Sequence, residues 1–240
     1  VVQVSDGHGG TDSITVNVTI EPVYDALGLS CVTLEPKPMT ASTSDKPQSK
    51  VWLYDGSWYA VFPTSASGAS SAGTWVWKLV GNAWTEVVRL SERTDTHADV
   101  KVNGNLAHII LWAGSNTQLA TIEYTDGAYQ LWATRPSLVS IPLTDSETVT
   151  IDLDSTGRMW LAARTSTNIV VYYSDSPYST WSGPVVLASG VNADDIPAIT
   201  ALPGNKIGVL WSNQNTKPFG FKVHLDIDDP STWSTDPNSP

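Results

Sequence analysis

Short windows along the chain either alternate apolar and polar residues or run apolar. In "DSITVNVTI", Ile14, Val16, Val18 and Ile20 alternate with Ser13, Thr15, Asn17 and Thr19. That period of two predicts a strand with one wet face and one buried face. Other windows, such as "KIGVLWSNQ", run apolar with β-branched and aromatic residues between Gly, Asn, Asp and Pro. They too read as strands. No window carries a good helical period, so the chain is expected to be all-β.

The pattern divides the chain into three parts. Residues 1–24 predict a hairpin, "VVQVSD" against "DSITVNVTI" across Gly7-His8-Gly9-Gly10. A lone hairpin is marginal in water, so its apolar face calls for further strands or a neighbouring surface. Residues 25–46, with "LEPKPMTASTSDKP", have no periodicity and read as a linker. From residue 47 the chain repeats. Turn glycines at 56, 104, 157 and 204 recur at intervals of 48, 53 and 47. Each turn lies between a short strand and a longer apolar one. A third strand and a Trp-bearing segment follow: "AWTEVVRL", "AYQLWATR", "STWSGPVVL" and "STWST". Four strands per unit of about 50 residues is the signature of β-propeller blades. The expected fold is a partial β-propeller of about four four-stranded blades, at about 47–92, 93–145, 146–191 and 192–240.

Two stretches resemble known families. "V-x-V-S-D-G-x-G-G-T-D-S-x-T-V-x-V-T-I-x-P-V-x-D-A" resembles the last two strands of the cadherin-like, immunoglobulin-like tandem repeats of long bacterial surface and secreted proteins. The resemblance implies that residues 1–26 are the tail of a sandwich repeat. The chain is then expected to be a slice of an exported, modular protein, secreted or at the bacterial cell surface, with neighbouring repeats of the same parent chain as partners. "DDPSTW" and "SDSPYSTW" resemble the Asp-box of bacterial neuraminidase repeats, with Pro in place of its Gly. The resemblance implies structural roles for Asp175, Trp181, Asp228 and Trp233: a carboxylate that takes turn amides and a Trp packed between blades. It implies a sialidase-like propeller without implying sialidase activity. Of the five arginines, Arg89, Arg93, Arg135, Arg158 and Arg164, none sits in the Arg-Ile-Pro context of that family.

Charge and aromatic content narrow the function. With 13 basic and 24 acidic residues the net charge is -11, which argues against nucleic acid or an anionic membrane as partner. Cys31 is the single cysteine, so no internal disulfide framework exists. No apolar run is long enough to span a bilayer. There are 11 Trp against 3 Phe. Trp84, Trp132, Trp181 and Trp233 recur late in each unit, and Trp58, Trp112, Trp160 and Trp211 recur in or beside the second strand, which predicts packing between blades. Trp52, Trp75 and Trp77 are extra to this pattern and are expected to offer an exposed stacking surface for a sugar.

Ligands of a propeller gather near its axis, at the N-terminal ends of the first strands. Lys50, His97, Asp99, Glu147, Asp194 and Asp195 occupy those ends and are the candidate ligand-binding residues. The competing reading is that they bond backbone amides of the next blade. No zinc spacing is present. The oxygen-rich "DLDSTG" and the trio Asp226, Asp228 and Asp229 leave calcium as an optional ligand, outside the twelve-residue EF pattern. No cofactor is required and no catalytic residue is assigned. The expected function is recognition or adhesion toward a glycan or cell-surface ligand. A carbohydrate-active enzyme (glycoside hydrolase or polysaccharide lyase) and a ligand-free scaffold remain alternatives.

Overall fold

Side chains on both faces of the middle strands explain why their sequences run apolar instead of alternating. In the computed structural model, which describes residues 2–5, 7–14, 33–41, 48–143 and 146–235, β8 (Leu106–Ala113) sends Ile109 and Leu111 into one core and Ile110 and Trp112 into the next. β13 (Met159–Thr165) does the same, with Leu161 and Ala163 on one side and Trp160 and Ala162 on the other. Each such strand is sandwiched between two neighbouring sheets and has no wet face.

The chain forms two compact units, Val1–Leu34 and Glu35–Pro240. In the first, β1 (Val2–Ser5) pairs antiparallel with β2 (Thr11–Ile14), with Val2 opposite Ile14. The expected alternation from Val16 to Ile20, Asp25 and Cys31 lie outside the described residues.

The second unit consists of four antiparallel sheets, each a meander in chain order. The first is β3 (Val51–Tyr54), β4 (Ser57–Thr64), β5 (Gly73–Val80) and β6 (Ala83–Ser91). The second is β7 (His97–Asn103), β8, β9 (Asn116–Thr125) and β10 (Ala128–Leu131), with β11 (Val139–Ile141) on the other end of β9. The third is β12 (Val149–Leu153), β13, β14 (Asn168–Ser174) and β15 (Ser182–Ser189). The fourth is β16 (Pro197–Leu202), β17 (Lys206–Ser212) and β18 (Phe219–Leu225). No helix occurs among the described residues. Where a fourth strand was expected, "STWST" forms no strand: it pairs with β18 through a single bridge, Val223 to Ser234, and Trp233 stacks on His224. The tight turn Asp55-Gly56 joins β3 to β4 with φ of 45° and 67°, the left-handed pair that a two-residue hairpin needs.

Three apolar layers lie between successive sheets. Trp52, Tyr59, Val61 and Val76 meet Val100, Ile109 and Ile122 between the first and second. Trp112, Leu119 and Leu143 meet Ile151, Leu161 and Val170 between the second and third. Trp160, Ile169 and Val171 meet Ile199, Val209 and Trp211 between the third and fourth. The architecture is a partial β-propeller whose sheets do not close into a ring. The outer faces of the end sheets expose Val51, Leu53 and Trp58 at one end and Leu210 and Phe219 at the other.

The tryptophans sort by these faces, and two expectations are corrected. Trp52 and Trp77 are 7% and 1% exposed, so neither is a surface platform. Trp52 lies in the first apolar layer and donates its Nε1–H to Tyr129 Oη at 3.2 Å. Trp77 stacks on Phe62 at 5.1 Å and donates to the Phe62 carbonyl at 3.2 Å. Trp75 is half-buried and donates to the Ser71 carbonyl. Trp58, expected between blades, is 49% exposed because it points to the face of the first sheet that no other sheet covers. Trp112, Trp160 and Trp211 are buried between sheets as expected.

Candidate functional site

The first strands β3, β7, β12 and β16 lie near one another and are linked by side chains that reach across to backbone amides. Asp99 on β7 accepts the Ser49 N–H at 2.6 Å and the Ile151 N–H at 2.9 Å. On β12, Thr150 Oγ1 accepts the Ile199 N–H at 3.0 Å and Asp152 accepts the Ala201 N–H at 2.8 Å. Lys101 pairs with Asp152. These residues surround a narrow channel of about 270 Å³ that Ser49, Val100, Ile151 and Thr200 also line. Burial pushes the Asp99 carboxyl up to about 6, against the lowering effect of its amide partners.

Asp99 is therefore a structural tie, with its oxygens committed to backbone. Asp195, fully buried, accepts the Asn192 N–H at 2.6 Å, the Ser212 hydroxyl at 2.8 Å and the Gln214 N–H at 3.0 Å. It fixes the loop that leads into β16. Asp194 is exposed beside it. Lys50 is half-buried just before β3 and lines a different groove, on the first sheet.

His97 and Glu147 are the two sequence candidates that the fold brings together. They share an open cleft of about 750 Å³ between the second and third sheets with Arg93, Asp95, Ser115, Asn116 and Ser146. The connection from β6 to β7 supplies Arg93 and Asp95. Their guanidinium and carboxylate meet in a two-pronged pair, Nε to Oδ1 at 2.9 Å and Nη2 to Oδ2 at 2.6 Å. The imidazole of His97 stacks on Trp112 with centroids 5.6 Å apart and planes 27° from parallel. Trp112 is 1% exposed and donates Nε1–H to the Glu147 carbonyl at 3.3 Å, which ties the loop before β12 to the second sheet. The tight β8–β9 turn presents Ser115 and Asn116 at the rim. The cleft thus combines fixed donors and acceptors of both charges with a flat ring that has a rigid indole behind it.

The Asp-box-like stretches are built differently from the resemblance. The Asp175 carboxylate takes Arg158, Nε to Oδ1 at 2.8 Å, and that pairing holds it below the usual carboxylate range. In "DDPSTW" the carboxylate that takes the turn is Asp229, one residue after Asp228: it accepts the Ser231 N–H at 2.9 Å. Trp181 and Trp233 do pack against the apolar layers beside the third sheet. The oxygen-rich "DLDSTG" loop, read from sequence as a calcium candidate, carries the fuller version. Asp154 accepts the Thr156 and Arg158 N–H groups at 2.9 and 3.0 Å and the Trp160 indole at 2.8 Å. Asp226 spends Oδ2 on the Ser155 N–H. Among the described residues no group of three or more His, Cys, Asp or Glu is placed to hold a metal ion.

Arg135 and His108 form a buried pair between the second and third sheets. Arg135 donates to the carbonyls of Pro177, Leu119 and Ser137 at 3.0, 3.2 and 2.8 Å. Thr121 Oγ1 lies between Arg135 Nη2 and His108 Nδ1. Burial, and then the Arg135 charge, push His108 down to about 4.

No family model and no curated protein matches the chain. Solved structures with a similar chain path include a xylan β-1,4-xylosidase from Bacillus halodurans C-125, at 15% identity and a TM-score of 0.47 over 81% of this chain and 42% of that one. The NanB sialidase from Streptococcus pneumoniae is similar at 12% identity and a TM-score of 0.47, over 69% and 28%. The polysaccharide lyase Uly1 is similar at 9% identity and a TM-score of 0.44, over 89% and 60%. The chain spans less than two thirds of each of these three proteins.

Proposed function

We propose that the Arg93–Glu147 cleft recognises a neutral, polyhydroxylated glycan, and that the chain is a binding module of an exported bacterial protein. The observation that carries this reading is the cleft's composition. An open space of about 750 Å³ is lined by Arg93, Asp95, His97, Ser115, Asn116 and Glu147. A sugar ring offers many hydroxyls, each both donor and acceptor, and C–H faces that rest on flat rings. With two carboxylates against one guanidinium the lining has a slight negative excess, which suits a neutral ligand better than an acidic one. In this reading the Val1–Leu34 unit is a spacer, calcium is optional, and the protein works outside the cell.

The axial carboxylates support binding over hydrolysis, because Asp99 and Asp195 are buried against backbone and hydroxyl donors. A glycan array followed by calorimetry on the best sugar tests the proposal. His97→Ala and Glu147→Gln are each expected to weaken binding about ten-fold, the loss of one good polar contact. Silence across the array would leave a scaffold as the reading. Release of reducing ends or unsaturated sugars that Glu147→Gln abolishes would turn the cleft into an active site.

A further inference from the structure

Part of the outer face of the first sheet, around Phe62 and Trp77, is covered by a segment of this chain, while Val51, Leu53 and Trp58 stay exposed. Pro36 and Pro38 keep Glu35 and Lys37 out of the helical region, so "EPKPMT" is biased to an extended form. The Glu35 N–H donates to the Asn82 carbonyl at 2.7 Å and the Thr40 N–H to the Pro63 carbonyl at 3.2 Å. Between these anchors the Lys37 ammonium stands 4.2 Å from the centre of the Trp77 ring. Trp77 lies flat on Phe62, and Trp84 meets Phe62 edge-on at 6.2 Å. The segment fills only part of this aromatic trough. Met39 is 45% exposed, yet it borders an apolar groove of about 510 Å³ that continues along Val51, Ala60, Phe62 and Trp84.

We propose that this face is a docking groove for extended peptides of the form Pro-Lys-Pro followed by a large apolar residue, filled in this chain by its own Glu35–Thr40. The chemistry of the occupant is read from the segment already seated there. Proline pre-sets the extended backbone at little entropic cost, aromatic walls take its rings, and a cation over Trp77 gains from the ring's negative face. The tethered segment competes at an effective concentration near the millimolar range. A partner peptide displaces it by filling the groove that Met39 leaves open, which is why a larger side chain is specified at that position.

The test uses the full chain and two surface variants, Lys37→Ala and Thr40→Pro, each of which removes one anchor of the segment without touching the core. Unchanged melting curves establish that the variants are folded. The peptide Leu-Glu-Pro-Lys-Pro-Trp-Thr is titrated while the indole N–H signals of Trp77 and Trp84 are followed by NMR. Both variants are expected to bind it with a Kd below about 1 mM and at least about five-fold more tightly than the intact chain, whose own segment competes. Replacing the peptide lysine by alanine is expected to weaken binding about five-fold, the worth of one exposed cation–π contact. Three results each overturn the proposal: no shift of either indole in either variant at several times that concentration, binding that ignores the lysine, or equal affinity for the intact and loosened chains.

Discussion

The row of first strands and the Arg93–Glu147 cleft lie a few residues apart and use the same side-chain types to opposite ends. Asp99 sits two residues beyond His97 on β7, yet it is buried and takes amides from β12 and from the chain just before β3. Asp95, two residues before His97, is exposed and shares its charge with Arg93 in a cleft open to solvent. A carboxylate with its oxygens on buried N–H groups is part of the fold, and losing it leaves orphaned donors. A carboxylate at an open rim costs little to remove and is available to a ligand. Position relative to the neighbouring sheet decides which role a residue has.

The largest effect that would break this contrast is Asp152→Ala. It removes the acceptor of the Ala201 and Leu153 N–H groups and the ion-pair partner of the Lys101 ammonium. Chemical denaturation is expected to show a loss of about 2–4 kcal/mol. A loss below about 0.5 kcal/mol would remove the structural role of this row.

Next in size is a pair of opposing pH effects. Folding raises Asp99 from 3.8 to about 6, so its contribution favours the protonated fold and is lost as pH rises from about 4 to 6. Folding lowers His108 from 6.5 to about 4, so its contribution is present above about 6.5 and is lost as pH falls toward 4. Each is worth at most about 3 kcal/mol, at roughly 1.4 kcal/mol per pKa unit. From these two groups alone the wild-type stability is expected to stay nearly level between pH 4 and 6.5. Asp99→Asn should unmask a rise with pH, and His108→Gln a fall. Urea midpoints measured across that window check both slopes, and parallel curves for the two variants would contradict the assignment.

The smallest stability change is expected at the cleft. Arg93→Ala breaks an exposed ion pair and should cost under about 1 kcal/mol, while glycan binding by the same protein drops. Equal losses of stability and binding would place Arg93 in the scaffold.

The repeated sheets were legible in the chain because each is written locally: a Gly turn, two strands and a further strand follow one another within about 50 residues. The face on which a residue falls was not legible. Trp52 and Trp58 are both bulky residues of the first sheet, and only the position of the second sheet buries one and exposes the other. For the same reason Asp99 and His97 looked alike as polar residues at a strand's start. The cleft was half visible, through His97 and Glu147. Arg93 and Asp95 belong to a connection between sheets, and Ser115 and Asn116 to a tight turn. Their sequence signals are those of ordinary loops. The Asp154 loop did contain a readable sign, an Asp followed by Ser-Thr-Gly and, six positions on, by Trp160.

The two bonds of Asp99 bear on how the molecule comes apart. In a row of sheets where each touches only its neighbours, unfolding tends to fray from the ends, one unit at a time. Asp99 joins β7 to β12 and, through Ser49, to the chain just before β3. These ties add to the apolar layers in favouring joint loss of the first three sheets. The fourth, held to β12 by Thr150 and Asp152 and one strand short of the first and third, is expected to be the first to let its amides exchange with solvent.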